Sequence, residues 1–402
     1  MSGILSREDR LLLALLREAL GTVRHRPAIR ADIDFDWEEL LRLADAHAVS
    51  AVLCDIFLEY KGIPEYIVQR IQKSAQVTVL SNYRLLFLTK YLTEYLMGHG
   101  ILAVTLKGAS TASLYPVPEY RKSGDVDLLI AVQADCVRAA ELLQQAGFHM
   151  EEYQSALHHI EMRSMDGVSV ELHSLLAEPF ENQRINRYLE SLLPEYQTHS
   201  VENMSWGVCF YEPCEAYHAF YLLLHMLQHF LREGFGLKNL CDWVLFWNRE
   251  IDEAQKRRFA KLVEESGTGK FARVLTAVCV RYLGLEKGRV AFLMTEPVRE
   301  DMALSFLQEV LEAGEFGTAQ EDRMVAMSGT GIAAYVQEFQ HQMHLNYPRA
   351  GRIIFCWPLL WGLTLGRFLY NNRKLHRAPV RRILKKAGRR SVLVEQMALF
   401  KQ

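Results

Sequence analysis

The feature that most constrains the fold is a change in hydrophobic period near residue 100. Before it, "WEELLRLADAHAVSAVLCDIFLEY" and, after Pro64, Ile67 to Met97 carry apolar residues three and four apart, the repeat of amphipathic helices. At Gly100 the pattern shortens. "ILAVTL" (101–106) and "DVDLLIAV" (125–132) are short apolar runs rich in β-branched residues, and both predict buried strands. Residues 134–146 predict a helix closed by Gly147. Then "ALHHIEMRSMDGVSVELHSLL" joins two extended runs through Asp166-Gly167, a dipeptide that favours a hairpin. From Pro213 the helical repeat returns with "EAYHAFYLLLHMLQHFLRE" and, after Gly236, "LKNLCDWVLFWNRE". The fold class expected is therefore α+β, a small mixed sheet between helical regions. The expected boundaries are 1–99 (helical), 100–205 (α/β core), 206–350 (helical) and 351–402, a tail that is first apolar and then basic.

Asp125 and Asp127 lie two apart in a predicted strand, so both carboxylates project from one face while Val126 and Leu128 take the other. Two carboxylates crowded on one face repel, and a divalent cation relieves that repulsion. Mg²⁺, or Mn²⁺, takes such oxygen ligands together with substrate phosphates. A two-residue Asp166-Gly167 turn would pair Met165 with Val168 and set Met162 opposite Glu171. Glu171 and His173 would then share a face with Ile160, Met162 and His158, which makes Glu171 the nearby third acid. Upstream, "LKGAS" ends the first strand in Lys107-Gly108 and starts a small-residue helix near Ala109. Glycine there lets a phosphate approach the backbone. Ser110 could donate a hydroxyl, and Lys107 or Arg121 could supply positive charge.

This ordered set resembles the polymerase-β-like nucleotidyltransferase superfamily: a strand, "LKGAS", "DVD" on the next strand, then the acid of "VELH". Within it, "LKGASTASLYPVPEYRKSGDVDLLI" followed by "GFHMEEY" and "VELHSLL" looks most like the uncharacterised bacterial nucleotidyltransferase family. "LADAHAVSAVL" and "HMLQHFLREGFGLKNLCDW" extend the likeness into the flanking helices. The resemblance implies that Asp125, Asp127 and Glu171 bind Mg²⁺ and are catalytic, and that Gly108 and Ser110 cradle nucleotide phosphates. It also suggests Lys238 and Asp242 as borders of an acceptor pocket. The chain departs from the superfamily in two places: Ala109 stands where the turn usually has Ser or Gly, and Glu replaces the commoner Asp at the third acid.

The implied reaction moves a nucleoside monophosphate from a nucleoside triphosphate to a hydroxyl or similar group of an acceptor: a small molecule, a protein or an RNA. The alternative is a catalytically degenerate nucleotide-binding module used for interaction. A glycosyltransferase Asp-x-Asp would explain neither the Lys-Gly turn nor Glu171. His225 and His229 sit four apart on a helix, seven or more after His218, without the Glu of a His-Glu-x-x-His metalloprotease. Packing against the strand region is their expected role.

A formal net charge of −2 gives no global attraction to nucleic acid or membrane. The seven scattered cysteines, without a Cys-x-x-Cys spacing, suit reduced thiols, and Arg7, Glu8, Asp9 and Arg10 do not read as a secretory signal. The apolar run 353–365 falls short of the roughly 20 residues that span a bilayer. The expectation is a cytoplasmic protein. Residues 367–390 carry ten Lys or Arg and no acid, a solvated face or a contact for RNA, an acidic partner or an anionic membrane.

Overall fold

The computed structural model describes residues 5–23, 35–150, 159–180, 182–204, 207–232 and 234–315. Of the C-terminal part it describes 336, 339–340, 343–344, 346–347, 350–375, 392–397 and 399. His158, part of the expected acid face, and residues 376–391 of the basic run lie outside the described residues.

Among the described residues, four α-helices precede the sheet: α1 (Arg7–Ala19), α2 (Trp37–Ala46), α3 (Cys54–Glu59) and α4 (Glu65–Gly98). Local chemistry fixes their starts. Ser6 accepts from the Asp9 N–H at 2.9 Å while the Asp9 carboxylate accepts from the Ser6 N–H at 3.1 Å, a reciprocal cap on α1. Asp36 caps α2 through the Glu39 N–H.

The sheet has seven strands: β1 (Val104–Thr105), β2 (Asp125–Leu129), β3 (His149–Met150), β4 (His159–Arg163), β5 (Ser169–His173), β6 (Ser200–Asn203) and β7 (Phe210–Pro213). Their order is β3-β4-β5-β2-β1-β7-β6, with β2 parallel to β5 and antiparallel to β1, and β1 parallel to β7. The sheet is thus mixed, as expected, and runs past residue 205 to Pro213. Between strands lie α5 (Ala109–Ala112), α6 (Gln133–Gln145), α7 (Gln183–Ser191) and α8 (Leu193–Thr198).

One face of the central strands is apolar. Val126, Leu128, Val170, Leu172 and Met162 pack with Cys136, Ala139, Ala140 and Leu143 of α6 and with Leu85, Leu92 and Leu96 of α4. The opposite face is covered by α9 (Glu215–Leu231), the first of a helical set continued by α10 (Leu237–Asn248), α11 (Glu253–Glu265), α12 (Gly269–Tyr282) and α13 (Glu300–Ala313). A larger core joins the two ends of the chain, uniting Leu12, Leu16 and Leu53 with Trp243, Phe271 and Phe306. His47 sits in that junction, fully buried, where its Nδ1 accepts from the Leu237 N–H at 3.3 Å.

The hairpin differs from expectation by one residue. Met162 lies opposite Val170, and Glu161 lies opposite Glu171. The loop has three residues, 165–167: Ser164 and Val168 close it through Ser164 N–H to Val168 O at 2.9 Å. Only Gly167 of the Asp-Gly pair has positive φ, +79°. A two-residue type I′ turn needs positive φ at both positions, whereas a three-residue loop needs it only at the last. A slip of one residue exchanges the faces of β4. His159 and Glu161 therefore join the face of Glu171 and His173, and Ile160 and Met162 turn into the apolar core.

Candidate active site

The acids converge because β2 and β5 run parallel in matched register, with Asp127 beside Glu171 and Asp125 beside Ser169. Carboxylate oxygens of Asp125, Asp127 and Glu171 all lie within 4.8 Å of one another. Asp127 is only 1% exposed. A buried carboxylate is strongly destabilising unless it is paired. Lys107 Nζ lies 3.3 Å from Asp127 Oδ1 and 3.6 Å from Asp125 Oδ2. His173 Nε2 lies 3.2 Å from the same Asp127 Oδ1 and 3.1 Å from Glu171 Oε2. Both cations thus serve Oδ1, while the buried Oδ2 of Asp127 has no hydrogen-bond partner among the described residues.

These neighbours set the protonation of the site. Burial opposes ionisation of Glu171, but the His173 hydrogen bond and charge, with Lys107, hold its carboxyl down at about 2. Burial likewise opposes a charged His173, yet its hydrogen bonds to Asp127 and Glu171 raise the imidazole to about 9. Lys107 stays protonated: the attraction of Asp125 and Asp127 outweighs its desolvation and lifts it well above the ordinary lysine value. Burial, with the charges of Asp127 and Glu171, pushes the Tyr221 phenol of α9 well up. His159 forms a second potential ligand group with Glu171 and His173.

The turn after β1 puts Lys107 over the aspartates. Gly108 has φ +69° and ψ −110°, a combination open to glycine but not to residues with a Cβ. Space is not the constraint, since a Cβ there would meet the Asp125 carbonyl oxygen at 3.6 Å. Beside the turn lies a cavity of about 510 Å³ bordered by Lys107, Gly108, Asp125, His225, Lys238 and Asp242 among others.

Two candidates are engaged elsewhere. Ser110 is buried, with its hydroxyl 3.4 Å from His218 Nε2 rather than on the cavity wall. Arg121 borders the cavity, but its guanidinium grips Asp242 in a bidentate pair, Nε to Oδ1 and Nη2 to Oδ2 both at 2.8 Å. Its Nη1 donates to Ser123 Oγ at 2.8 Å, and Tyr115 donates to Asp242 Oδ1 at 2.7 Å. Asp242 and Lys238 do border the cavity; Lys238 pairs with Glu315. His225 and His229 meet edge to face at 4.4 Å between ring centroids, with His225 on the cavity wall. The sequence reading missed His159 and Glu161, hidden by the hairpin slip. It also missed the cover of Tyr221, for which only the apolar repeat of α9 gave a signal.

The donor set fits a hard divalent cation. Three carboxylates converge, and one buried oxygen among them is left without a partner, the kind of atom a metal ligates. The mixed sheet carries paired aspartates on one strand and a third acid on its parallel neighbour. A family model described as uncharacterised nucleotidyltransferase matches residues 34–284, more than half of the chain, and the chain belongs to that family. A search of the curated proteins returns no match.

Proposed function

We propose that the protein transfers a nucleoside monophosphate from a Mg²⁺-bound nucleoside triphosphate to a hydroxyl or similar group of an acceptor: the acceptor oxygen bonds to the α-phosphorus, the α–β phosphoanhydride bond breaks and pyrophosphate leaves. The observation that carries this reading is the convergence of Asp125, Asp127 and Glu171, together with an Asp127 Oδ2 that is buried without a hydrogen-bond partner among the described residues. The three carboxylates would hold the metal, Mg²⁺ or Mn²⁺. When bound, the ion supplies charge neutralisation to the phosphates and acidifies an attacking hydroxyl. Gly108 lets the triphosphate approach the backbone, and Lys107 faces the same place with a charge that compensates phosphate oxygens. Glu171, held ionised at neutral pH, suits a metal ligand. The cavity between the β1 turn and helices α9 and α10 has room for the nucleotide or acceptor.

A second reading is a nucleotide-binding module without turnover. It is favoured by Lys107 and His173, which already compensate the acids, and by Ala109 in the turn. The separating experiment incubates the protein with Mg²⁺, an acceptor-containing cell extract and triphosphates labelled at the α- or γ-phosphate. Transfer of the α-label but not the γ-label, abolished by Glu171→Gln, is expected. Tight binding of triphosphate with no transfer would replace the enzyme reading with the module.

A further inference from the structure

The C-terminal segment 353–365 contains no charged residue, yet it is largely uncovered. In helix α14 (Trp357–Leu375) Leu360 and Thr364 are buried, and the indoles donate within the C-terminal segment, Trp357 to Gly351 O and Trp361 to Gln340 Oε1. Beside them, Phe355 is 97% exposed and Leu359 69%, with Ile353, Ile354, Leu363 and Leu365 also open to solvent. Scattered single apolar residues are ordinary on a surface; these six large exposed ones within thirteen consecutive residues point to a contact with something apolar. Directly after it in sequence come the ten Lys and Arg of 367–390, unbalanced by any acid.

We propose that this segment docks the protein onto an anionic lipid bilayer, lying in the headgroup region with the apolar side chains inserted and the basic run against the lipid phosphates. Among the described residues no helix is long and apolar enough to cross a membrane, so the segment would rest on the surface rather than span it. Apolar insertion and a polybasic run are each weak anchors, and together they give stable attachment. A second copy of the chain fits less well, because pairing two such segments would bring two basic runs of like charge together. RNA would engage the basic run but would leave Phe355 and the neighbouring leucines in water. The proposal stands independently of the nucleotidyl-transfer reading.

The test is flotation of the full-length protein with vesicles of phosphatidylcholine alone and of phosphatidylcholine mixed with phosphatidylglycerol. Binding to the anionic vesicles only, weakened by salt, is expected. Phe355→Asp/Leu359→Asp should lower the partition coefficient by roughly tenfold or more. Both side chains are exposed, so thermal unfolding of that variant should match the parent. Arg381→Glu/Arg382→Glu/Lys385→Glu/Lys386→Glu should abolish the preference for anionic lipid. No flotation with anionic vesicles would overturn the proposal. So would flotation insensitive to the Asp substitutions, or a vesicle-independent dimer that those substitutions dissolve. RNA binding through the basic run without vesicle binding would equally overturn it.

Discussion

Replacing Asp242 with Ala should unfold this protein far more readily than the loss of an ordinary ion pair. Arg121 and Asp242 are 3% and 4% exposed, and their two parallel contacts are both 2.8 Å. With Asp242 removed, the guanidinium keeps Ser123 Oγ as its side-chain acceptor among the described residues and stays buried without its paired carboxylate. Breaking such a pair from one side costs about 3–5 kcal/mol, whereas an exposed pair is worth about 0–1 kcal/mol. Arg121→Met/Asp242→Leu removes both charges, and its loss should fall well below the sum of the single losses. The assay is urea denaturation followed by far-UV circular dichroism, with all four proteins compared at neutral pH. The acid limb adds a signed check. Burial opposes ionisation of Asp242, but attraction to Arg121 wins and lowers its carboxyl in the folded state. Its contribution is therefore complete above the unfolded carboxyl value and lost as pH falls through the folded one. Asp242→Asn should flatten that loss. A cost below about 1 kcal/mol for Asp242→Ala would refute the reasoning, because it would mean that water reaches Arg121.

Two further outcomes follow from buried groups elsewhere. Burial, with Arg42 nearby, lowers His47 to about 4, so the unfolded state binds its proton first and stability should decline as pH falls from about 6.5 towards 4, by up to about 1.4 kcal/mol per unit. His47→Gln, which keeps an acceptor for the Leu237 N–H, should reduce that slope in pH-dependent denaturation; an unchanged slope would remove His47 from the account. Gly108→Ala should cost about 1–3 kcal/mol through backbone strain and weaken triphosphate binding by moving Lys107, measured by thermal unfolding and calorimetry. Unchanged stability and binding would show that the turn tolerates a Cβ.

The acid strands were legible because strand alternation is a local property. Asp125 and Asp127 share a face whatever their neighbours do, and the same holds for Glu171 and His173. The pairing of β4 was not legible, because Asp166-Gly167 serves both two- and three-residue loops and only the φ of Asp166 separates them. Strands β6 and β7 carry no clear alternation in "SVEN" and "FYEP"; the pairing of β7 with β1 and of β6 with β7 defines them. Arg121 offered its charge in a loop that read as facing phosphate, but its partner lies 121 residues away on α10, beyond any local pattern. Ser110 likewise meets a distant partner, His218 of α9. Lys107 and Gly108 lie at the acids, on the cavity wall that Arg121 also borders.

The most direct test of the central claim is a crystal soaked with Mn²⁺ and a triphosphate that cannot be cleaved between its α- and β-phosphates, with data collected for the anomalous signal of manganese. Manganese is expected among Asp125, Asp127 and Glu171, ligated by Asp127 Oδ2 and by phosphate oxygens, with the triphosphate running past Gly108 and Lys107. A triphosphate bound away from the three carboxylates, or manganese seated with no contact to Asp127, would contradict it.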